Sequence, residues 1–139
     1  MAPAKDNVIP IKRIDTHPSQ DNINIRSILI EIQAGLDQLS ESGSRHIIDL
    51  GAIPLAGYER EKLFELLGQG EVHIHLSLLG TSEVYETLFS GVWVVKHRDE
   101  LEEFSSMFIE ICHIPDIVLS QQDDIVTSNR KLQGLINNI

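Results

Sequence analysis

Apolar residues recur every three or four positions from Ile25 onward, which is the period of an amphipathic helix with one buried face. Ser42 and Gly43 follow this pattern and are typical of a helix end. A second helix is predicted from Tyr58 to Leu67, with Gly68 as its left-handed cap. The apolar face of the first helix consists of Ile25, Ile28, Leu29, Ile32, Leu36 and Leu39.

The middle of the chain alternates between apolar and polar residues, which is the period of a β-strand. The alternation is strict from 71 to 78. Two turn signals, Gly80-Thr81 and Ser90-Gly91, divide the following residues into hairpin strands. The predicted strands are 46–50, 71–78, 83–89, 92–97 and 104–114.

The last segment returns to a helical period after Ser120 and Asp123, a pair that resembles a capping box. The order α-β-α-β-β-β-β-α predicts an α+β domain, in which helices cover one face of an antiparallel β-meander. Residues 1–22 contain three prolines and no sustained period, so we expect a flexible N-terminal tail followed by a single domain over 23–139. The apolar face of the last helix consists of Ile125, Leu132, Leu135, Ile136 and Ile139.

Two-residue turns in both hairpins would set the strand register, and with it the face on which each side chain lies. His75 would then lie opposite Glu86, and Leu88 opposite Trp93. The predicted core face consists of Val72, Ile74, Leu76, Leu78, Tyr85, Phe89, Val92 and Val94. The other face would carry His73, His75, Glu86, Leu88, Trp93, Val95 and His97. Because a mixed face around an aromatic residue is typical of interaction surfaces, we expect partner binding at His73, His75, Glu86, Trp93, Val95 and His97. For Trp93 alone, filling a core is an equally good interpretation.

The same side chains allow an alternative function, a metal-binding or metal-delivery protein, because imidazoles and carboxylates bind zinc. The ligands would be His73, His75, Glu86 and His97. Residues two apart on a strand are separated by roughly 6–7 Å at their Cα atoms, and the spacing matches no metal-ligand motif. A protein–protein interface is therefore the preferred interpretation, without a bound metal.

Charge and composition exclude several other classes of protein. A net charge of −10 disfavours binding to nucleic acids and to anionic membranes. No apolar stretch approaches the ~18 residues that membrane insertion requires. The chain has a single cysteine, Cys112, and its first ten residues lack the apolar core of a secretion signal. Both features predict a cytoplasmic protein. Because no nucleophile elbow or phosphate-binding loop is present, we expect no enzymatic activity and no cofactor.

Two strings give the most specific information about family. They are Leu66-Leu67-Gly68-Gln69-Gly70-Glu71-Val72 and Glu86-Thr87-Leu88-Phe89-Ser90-Gly91-Val92-Trp93. Shorter strings accompany them at Ile48-Asp49-Leu50, Ile53-Pro54-Leu55, Ile109-Glu110-Ile111 and Ile114-Pro115. Over about 25–119 the chain resembles the C-terminal region of the HupH/HyaF hydrogenase expression proteins. Ser90 stands where the family string has proline.

The resemblance implies an accessory protein for maturation or assembly of a [NiFe] hydrogenase, acting as a chaperone without catalysis. The implied partner is a hydrogenase subunit, with the iron–sulfur small subunit favoured, or another hydrogenase maturation protein. A homodimer is also compatible with a chain that resembles one region of proteins about twice as long. Shared motif residues are Gly68, Gly70, Glu71, Thr87 and Gly91; the resemblance implies no catalytic residue. Among them, Gly91 suits a turn that needs positive φ, and Gly68 suits a helix end.

Overall fold

The computed structural model describes residues 20–77, 79–101 and 105–139. Its helices are α1 (Gln20–Ser42), α2 (Gly57–Leu67) and α3 (Gln122–Asn137). Its strands are β1 (His46–Asp49), β2 (His73–Ser77), β3 (Thr81–Glu86), β4 (Val92–Arg98) and β5 (Ser105–Ile111). The predicted element order is confirmed. Helix α1 begins earlier than Ile25, and residues 1–19 of the predicted tail lie outside the described residues.

The five strands form one antiparallel sheet in the order β1-β5-β4-β3-β2. Strands β2 to β5 form the predicted meander, in which each strand pairs with the next one along the chain. Strand β1 pairs with β5 and completes the opposite edge. The prediction of an α+β domain is confirmed. No helix in the described part of the chain has the length and apolar character that spanning a bilayer requires.

Strand β4 is central to the fold because it is buried on both faces. Val92 packs with α1 and α2 in the larger core, together with Ile109 and Ile111 of β5. Trp93 and Val95 point to the other face and pack in a smaller second core. Helices therefore cover one face, as predicted, but a second apolar cluster covers part of the face that was predicted to be open.

The β2–β3 hairpin differs from the predicted register. Ser77 pairs directly with Thr81, so the connection has three residues instead of two. Gly80 in this connection has a φ of 112°, which favours glycine. His75 consequently pairs with Glu83 and not with Glu86. Since the register moves by an odd number of positions, every side chain of β2 lies on the face opposite to the predicted one.

The predicted core face of the sheet is therefore partly wrong. Tyr85, Val92 and Val94 are buried as predicted. Ile74 lies across from Val84 and belongs with the second core, and Leu76 shares its face. The two remaining described members, Val72 and Phe89, lie outside the strands and are exposed. Leu78 lies outside the described residues.

The β3–β4 connection also differs from a two-residue turn. Glu86 pairs with Trp93, and Val84 pairs with Val95, so the register moves by two positions and the predicted faces of β3 and β4 are retained. Five residues, 87–91, connect the two strands. Gly91 has a φ of 85°, which confirms its predicted role in the turn.

The helix ends confirm one prediction and correct another. Gly68 follows α2 with a φ of 65°, and its N–H donates to the carbonyl of Phe64, as expected for a helix cap. The capping box predicted at Ser120 and Asp123 is wrong. Helix α3 instead has Gln121 at its N-cap position, without a side-chain capping hydrogen bond.

Candidate functional site

Two members of the predicted partner-binding patch are core residues. Trp93 is 4% exposed and Val95 is 2% exposed. They pack with Val84 and Cys112 in the second core, and the indole N–H of Trp93 donates to the carbonyl of Cys112 at 3.1 Å. The expectation that Trp93 marks an open surface is therefore wrong, because its ring fills space inside the fold.

The two histidines of β2 lie on the helix-bearing face, at the exposed edge of the sheet. The Nε2 atom of His73 lies 2.9 Å from Oε1 of Glu83. The rings of His73 and His75 stack with centroids 4.7 Å apart. The predicted pair of His75 with Glu86 does not form, since the β2–β3 hairpin places Glu83 opposite His75.

The other two predicted residues lie elsewhere. The Nδ1 atom of His97 and the hydroxyl of Ser82 form a hydrogen bond of 2.7 Å. Glu86 accepts a hydrogen bond of 3.3 Å from the N–H of Gly91. Both lie on the face opposite to His73 and His75, so the four ligands of the alternative metal site are not brought together. Among the residues that the structure describes, no group of three or more His, Cys, Asp or Glu side chains is placed to hold a metal ion.

The two family-like strings meet in space, side by side. The N–H of Gly70 donates to the carbonyl of Glu86 at 2.7 Å, and the N–H of Leu88 donates to the carbonyl of Leu67 at 3.0 Å. A Cβ atom at Gly70 would lie 2.7 Å from the carbonyl oxygen of Thr87, so the close approach of the two backbones requires glycine. These hydrogen bonds tie the end of α2 to the β3–β4 connection.

We define the Phe89 loop as residues 87–91. Thr87 is buried, and its hydroxyl accepts from the N–H of Phe89 at 3.1 Å. The N–H of Thr87 also donates to the carbonyl of Val92 at 2.9 Å. In spite of these constraints Leu88 is 69% exposed and Phe89 is 50% exposed. The loop is thus a well-anchored turn that presents two apolar side chains to solvent.

An apolar groove lies between the Phe89 loop and the helices. We define the α1 groove by its floor and walls, which are Leu29, Gln33, Leu36, Leu66, Leu67 and Phe89. Its central cavity has a volume of about 360 Å³ and is lined mainly by apolar side chains. Smaller cavities continue it in both directions, sharing Leu29 on one side and Leu36 on the other.

The two ends of the α1 groove carry different charges. Arg26 and Lys62 line the end near the start of α1. Glu86 is the last residue of β3, and its carboxylate, which accepts from the N–H of Gly91 in the Phe89 loop, lines the other end of the groove next to Ser40, although its strand position belongs to the opposite face of the sheet. An elongated apolar surface with unlike charges at its ends is suited to an amphipathic protein segment. This groove, and not the predicted histidine–tryptophan patch, is the candidate functional site.

Sequence reasoning did not identify the groove, although a signal was present. The strings that carry the family resemblance contain Leu88 and Phe89, and the hydrogen bonds around Gly70 and Thr87 serve to hold these two residues. Periodicity alone predicts Phe89 in the core. An apolar residue just beyond a strand cannot be recognised as exposed until the length of the turn is known.

A polar cluster lies at the base of α3, on the face of the second core. The guanidinium group of Arg45 donates to the carboxylate of Asp116 and, at 2.7 Å, to the carbonyl of Ile114. Burial raises the pKa of the Cys112 thiol, while the nearby Arg45 lowers it by a smaller amount. The thiol is therefore protonated and a poor nucleophile at neutral pH.

Burial also raises the pKa of the Glu110 carboxyl, an effect that Arg45 partly offsets and Asp116 increases. A carboxyl whose pKa is higher in the folded state than in the unfolded state lowers stability as the pH rises through the interval between the two values. We expect Glu110→Gln to be more stable than the parent at pH 7, and we expect this difference to disappear below about pH 3, where the carboxyl is protonated in both the folded and the unfolded parent. Urea unfolding at a series of pH values measures this difference.

Glu61→Gln is the matched control, because it removes one negative charge from an exposed position of α2. A gain in stability with Glu61→Gln as large as that with Glu110→Gln would attribute the effect to net charge. Equal pH dependence in the parent and in Glu110→Gln would contradict the prediction.

Comparison with known proteins agrees with the resemblance of the two strings. Residues 22–139 match the model of the family described as HupH hydrogenase expression protein, C-terminal conserved region. The hydrogenase expression/formation protein HupQ of Azotobacter chroococcum is 26% identical over 117 residues, which are 83% of this chain and 41% of that protein. The hydrogenase-1 operon protein HyaF of Escherichia coli K12 is 27% identical over 129 residues, which are 93% of this chain and 45% of that protein.

A solved structure gives the same result for the fold. The hydrogenase expression protein HupH from Thiobacillus denitrificans superposes with a TM-score of 0.81 and 34% sequence identity, over 84% of this chain and 97% of that chain. The chain spans less than half the length of the curated relatives, and it matches nearly all of the solved one. With the family model matching from 22 to 139, the chain belongs to the family of HupH hydrogenase expression proteins, through their C-terminal conserved region.

Proposed function

We propose that this chain is a non-catalytic accessory protein of [NiFe] hydrogenase formation, which holds a hydrogenase subunit in the α1 groove. Its relatives are named as hydrogenase expression and formation proteins, which supports a role in hydrogenase maturation. Within the proposal, the small subunit is the preferred client and the cytoplasm is the compartment. Another maturation protein is the second kind of partner.

The observation that carries this proposal is the exposure of Leu88 and Phe89 on an anchored loop. Exposed apolar side chains add little to folding, yet the residues of the family-like strings hold these two in place. Anchored apolar side chains beside a groove are typical of binding sites, since little conformational entropy is lost when a partner docks. A chaperone of this kind needs a preformed surface and no reacting side chain.

Of the six residues first assigned to partner binding, Trp93 and Val95 are excluded from direct contact because both are buried. Glu86 stays in the proposal, since it lines the acidic end of the α1 groove. A contribution of His73, His75 and His97 to partner binding remains a prediction. We place the main contact at Phe89 because the groove is larger and more apolar than the surroundings of the β2 edge.

Replacing Phe89 with aspartate is expected to weaken binding of the hydrogenase subunit at least tenfold. The substitution removes an aromatic anchor and places a charge against the apolar walls of the groove. The affinity is measured by titrating purified small subunit, and in parallel large subunit, onto the immobilised chain. The free energy of unfolding should change little, because Phe89 is half exposed.

Leu79→Asp is the matched control, because it makes the same kind of change at a side chain that is 91% exposed and far along the sheet from the groove. It should bind the subunit as the parent does. If Phe89→Asp and Leu79→Asp bind equally well, the groove is not the client site. If the parent binds neither subunit, the chaperone proposal itself is wrong.

A further inference from the structure

Helix α3 carries an apolar stripe that no element in the described part of the chain buries. No residue of α3 is buried, and Leu132, Leu135 and Ile136 are 56%, 58% and 62% exposed. A helix of this length gains most of its stability in water by packing its apolar face against another element. We therefore expect the apolar stripe of α3 to pack against another surface. The α1 groove of the same protein is an exposed apolar surface of this kind.

We propose that α3 of one copy lies in the α1 groove of a second copy, so that the free protein is a reciprocal dimer. This inference deepens the proposed function, because it places a segment of the protein itself on the surface proposed for the client. A client would then bind by displacing α3. The existence of the dimer does not depend on which client is bound, so the two proposals can fail separately.

The dimensions of helix and groove agree. Sixteen residues of α3 measure about 24 Å at 1.5 Å per residue. The groove extends along α1 from Asn22 to Ser40, a rise of about 27 Å on the same scale. An apolar helix face on a long apolar groove is also a common mode of recognition between proteins.

The charges of helix and groove are complementary in one orientation. Asp124 and Lys131 are seven residues apart, so they lie on the same flank of the stripe, about 10 Å from each other. If α3 runs parallel to α1, Asp124 meets Arg26 and Lys62 at the basic end of the groove. Lys131 then lies towards the end that carries Glu86. The reverse orientation would bring Asp124 to the acidic end.

The attachment of α3 favours a second copy over its own groove. Arg45, just beyond the end of α1, binds Asp116 and Ile114, which shortly precede α3. The root of α3 is thus tethered near the acidic end of its own groove. Docking within the same chain would run α3 antiparallel to α1 and place Asp124 near Glu86. The complementary orientation is available when the helix comes from another molecule.

Reciprocal docking also closes the assembly. Each copy offers one helix and one groove, so two copies related by a two-fold axis cover both helices and both grooves. If only one copy inserted its helix into the groove of the other, the pair would keep one free helix and one free groove, and further copies could add to it. We therefore expect a dimer and not a longer chain of molecules.

Sedimentation analysis of the full chain tests the dimer. The parent is expected to be dimeric at micromolar concentration, and Leu132→Asp should raise the dimer dissociation constant at least tenfold without unfolding the protein, since Leu132 is 56% exposed. A monomeric parent, or a Leu132→Asp variant as dimeric as the parent, overturns the proposal.

Charge reversal tests the orientation. Asp124→Lys should weaken the dimer. Asp123→Lys is the matched control, because it makes the same change in the same helical turn but on the side of α3 that faces away from the stripe. Combining Asp124→Lys with Arg26→Glu and Lys62→Glu should restore the dimer. Equal weakening by both single variants, or no recovery in the combined variant, overturns the proposed orientation.

Cross-linking of a mixture distinguishes the second copy from the same chain. One preparation carries Gln33→Cys in the groove and another carries Ser128→Cys on the α3 stripe, so a link between these two thiols has to join two molecules. A short bis-maleimide should give a cross-linked dimer in the mixture, above the background of the parent with its buried Cys112. The absence of this product overturns the proposal. If Phe89→Asp leaves client binding unchanged while the cross-link forms, the client site is wrong and the dimer stands.

Discussion

Replacing Trp93 with alanine is expected to lower the free energy of unfolding by about 3–5 kcal/mol, the usual cost of removing a large buried aromatic ring. The ring packs against Val84, Val95 and Cys112, and the cavity left behind lies in a small core with few residues to fill it. The substitution also leaves the carbonyl of Cys112 without its indole donor. Urea unfolding followed by circular dichroism measures the loss.

Trp93→Phe provides the graded control for this prediction. It keeps an aromatic ring in the second core but removes the indole N–H, so we expect a smaller loss of about 1–3 kcal/mol from the unpaired carbonyl and the smaller ring. The folded fraction of either variant should still bind a hydrogenase subunit. Weakened client binding with no loss of stability would make Trp93 an interface residue and contradict its place in the core.

Replacing Gly70 with alanine is expected to cost about 1–3 kcal/mol of stability, since the added methyl group overpacks a tight backbone contact. The new Cβ would lie 2.7 Å from the carbonyl oxygen of Thr87 and 3.1 Å from that of Glu86. Both oxygens belong to backbone that cannot turn aside as a side chain could. We therefore expect the Phe89 loop to move, and client binding to weaken beyond what partial unfolding explains.

Gly57→Ala is the control for this substitution, because a Cβ atom there meets nothing within 4 Å. It should leave client binding within experimental error of the parent, and it should leave stability unchanged or raise it slightly, because Gly57 lies in α2. The two measurements for Gly70→Ala are urea unfolding and the subunit titration performed on the folded protein. If Gly70→Ala binds the client with the affinity of the parent, the close contact at Gly70 is not needed to form the binding surface. That result would remove the main support for the groove as the client site.

The sequence predicted the order of elements because each element has a strong local pattern. The period of α1, the alternation of β2 and the glycine after α2 depend on neighbouring residues alone, and all three elements are found. The faces of β2 could not be predicted in the same way. They depend on whether the connection between β2 and β3 is the two residues Gly80-Thr81, as predicted, or the three residues 78–80, as observed. A one-residue difference in the length of a connection exchanges the two faces of a strand.

Burial of β4 on both faces also limited the prediction. The string Val92-Trp93-Val94-Val95 is apolar throughout, so its alternation does not indicate which face is open to solvent. For Trp93, a core position and an interface position therefore fit the pattern equally well, and only the second core decides between them. The stripe of α3 shows the converse problem, since an amphipathic period predicts that a face will be covered but not by what.

The residues that stabilise the fold lie in the buried centre of the sheet, apart from the residues that line the proposed binding groove. Val92 to Val95 hold both layers together without reaching solvent, while Leu29, Gln33 and Phe89 line the groove at the rim. Substitutions at the rim can change the shape and charge of the groove at little cost to the architecture. A lineage can therefore exchange one bound segment for another by altering a few surface side chains, with the inherited scaffold left intact.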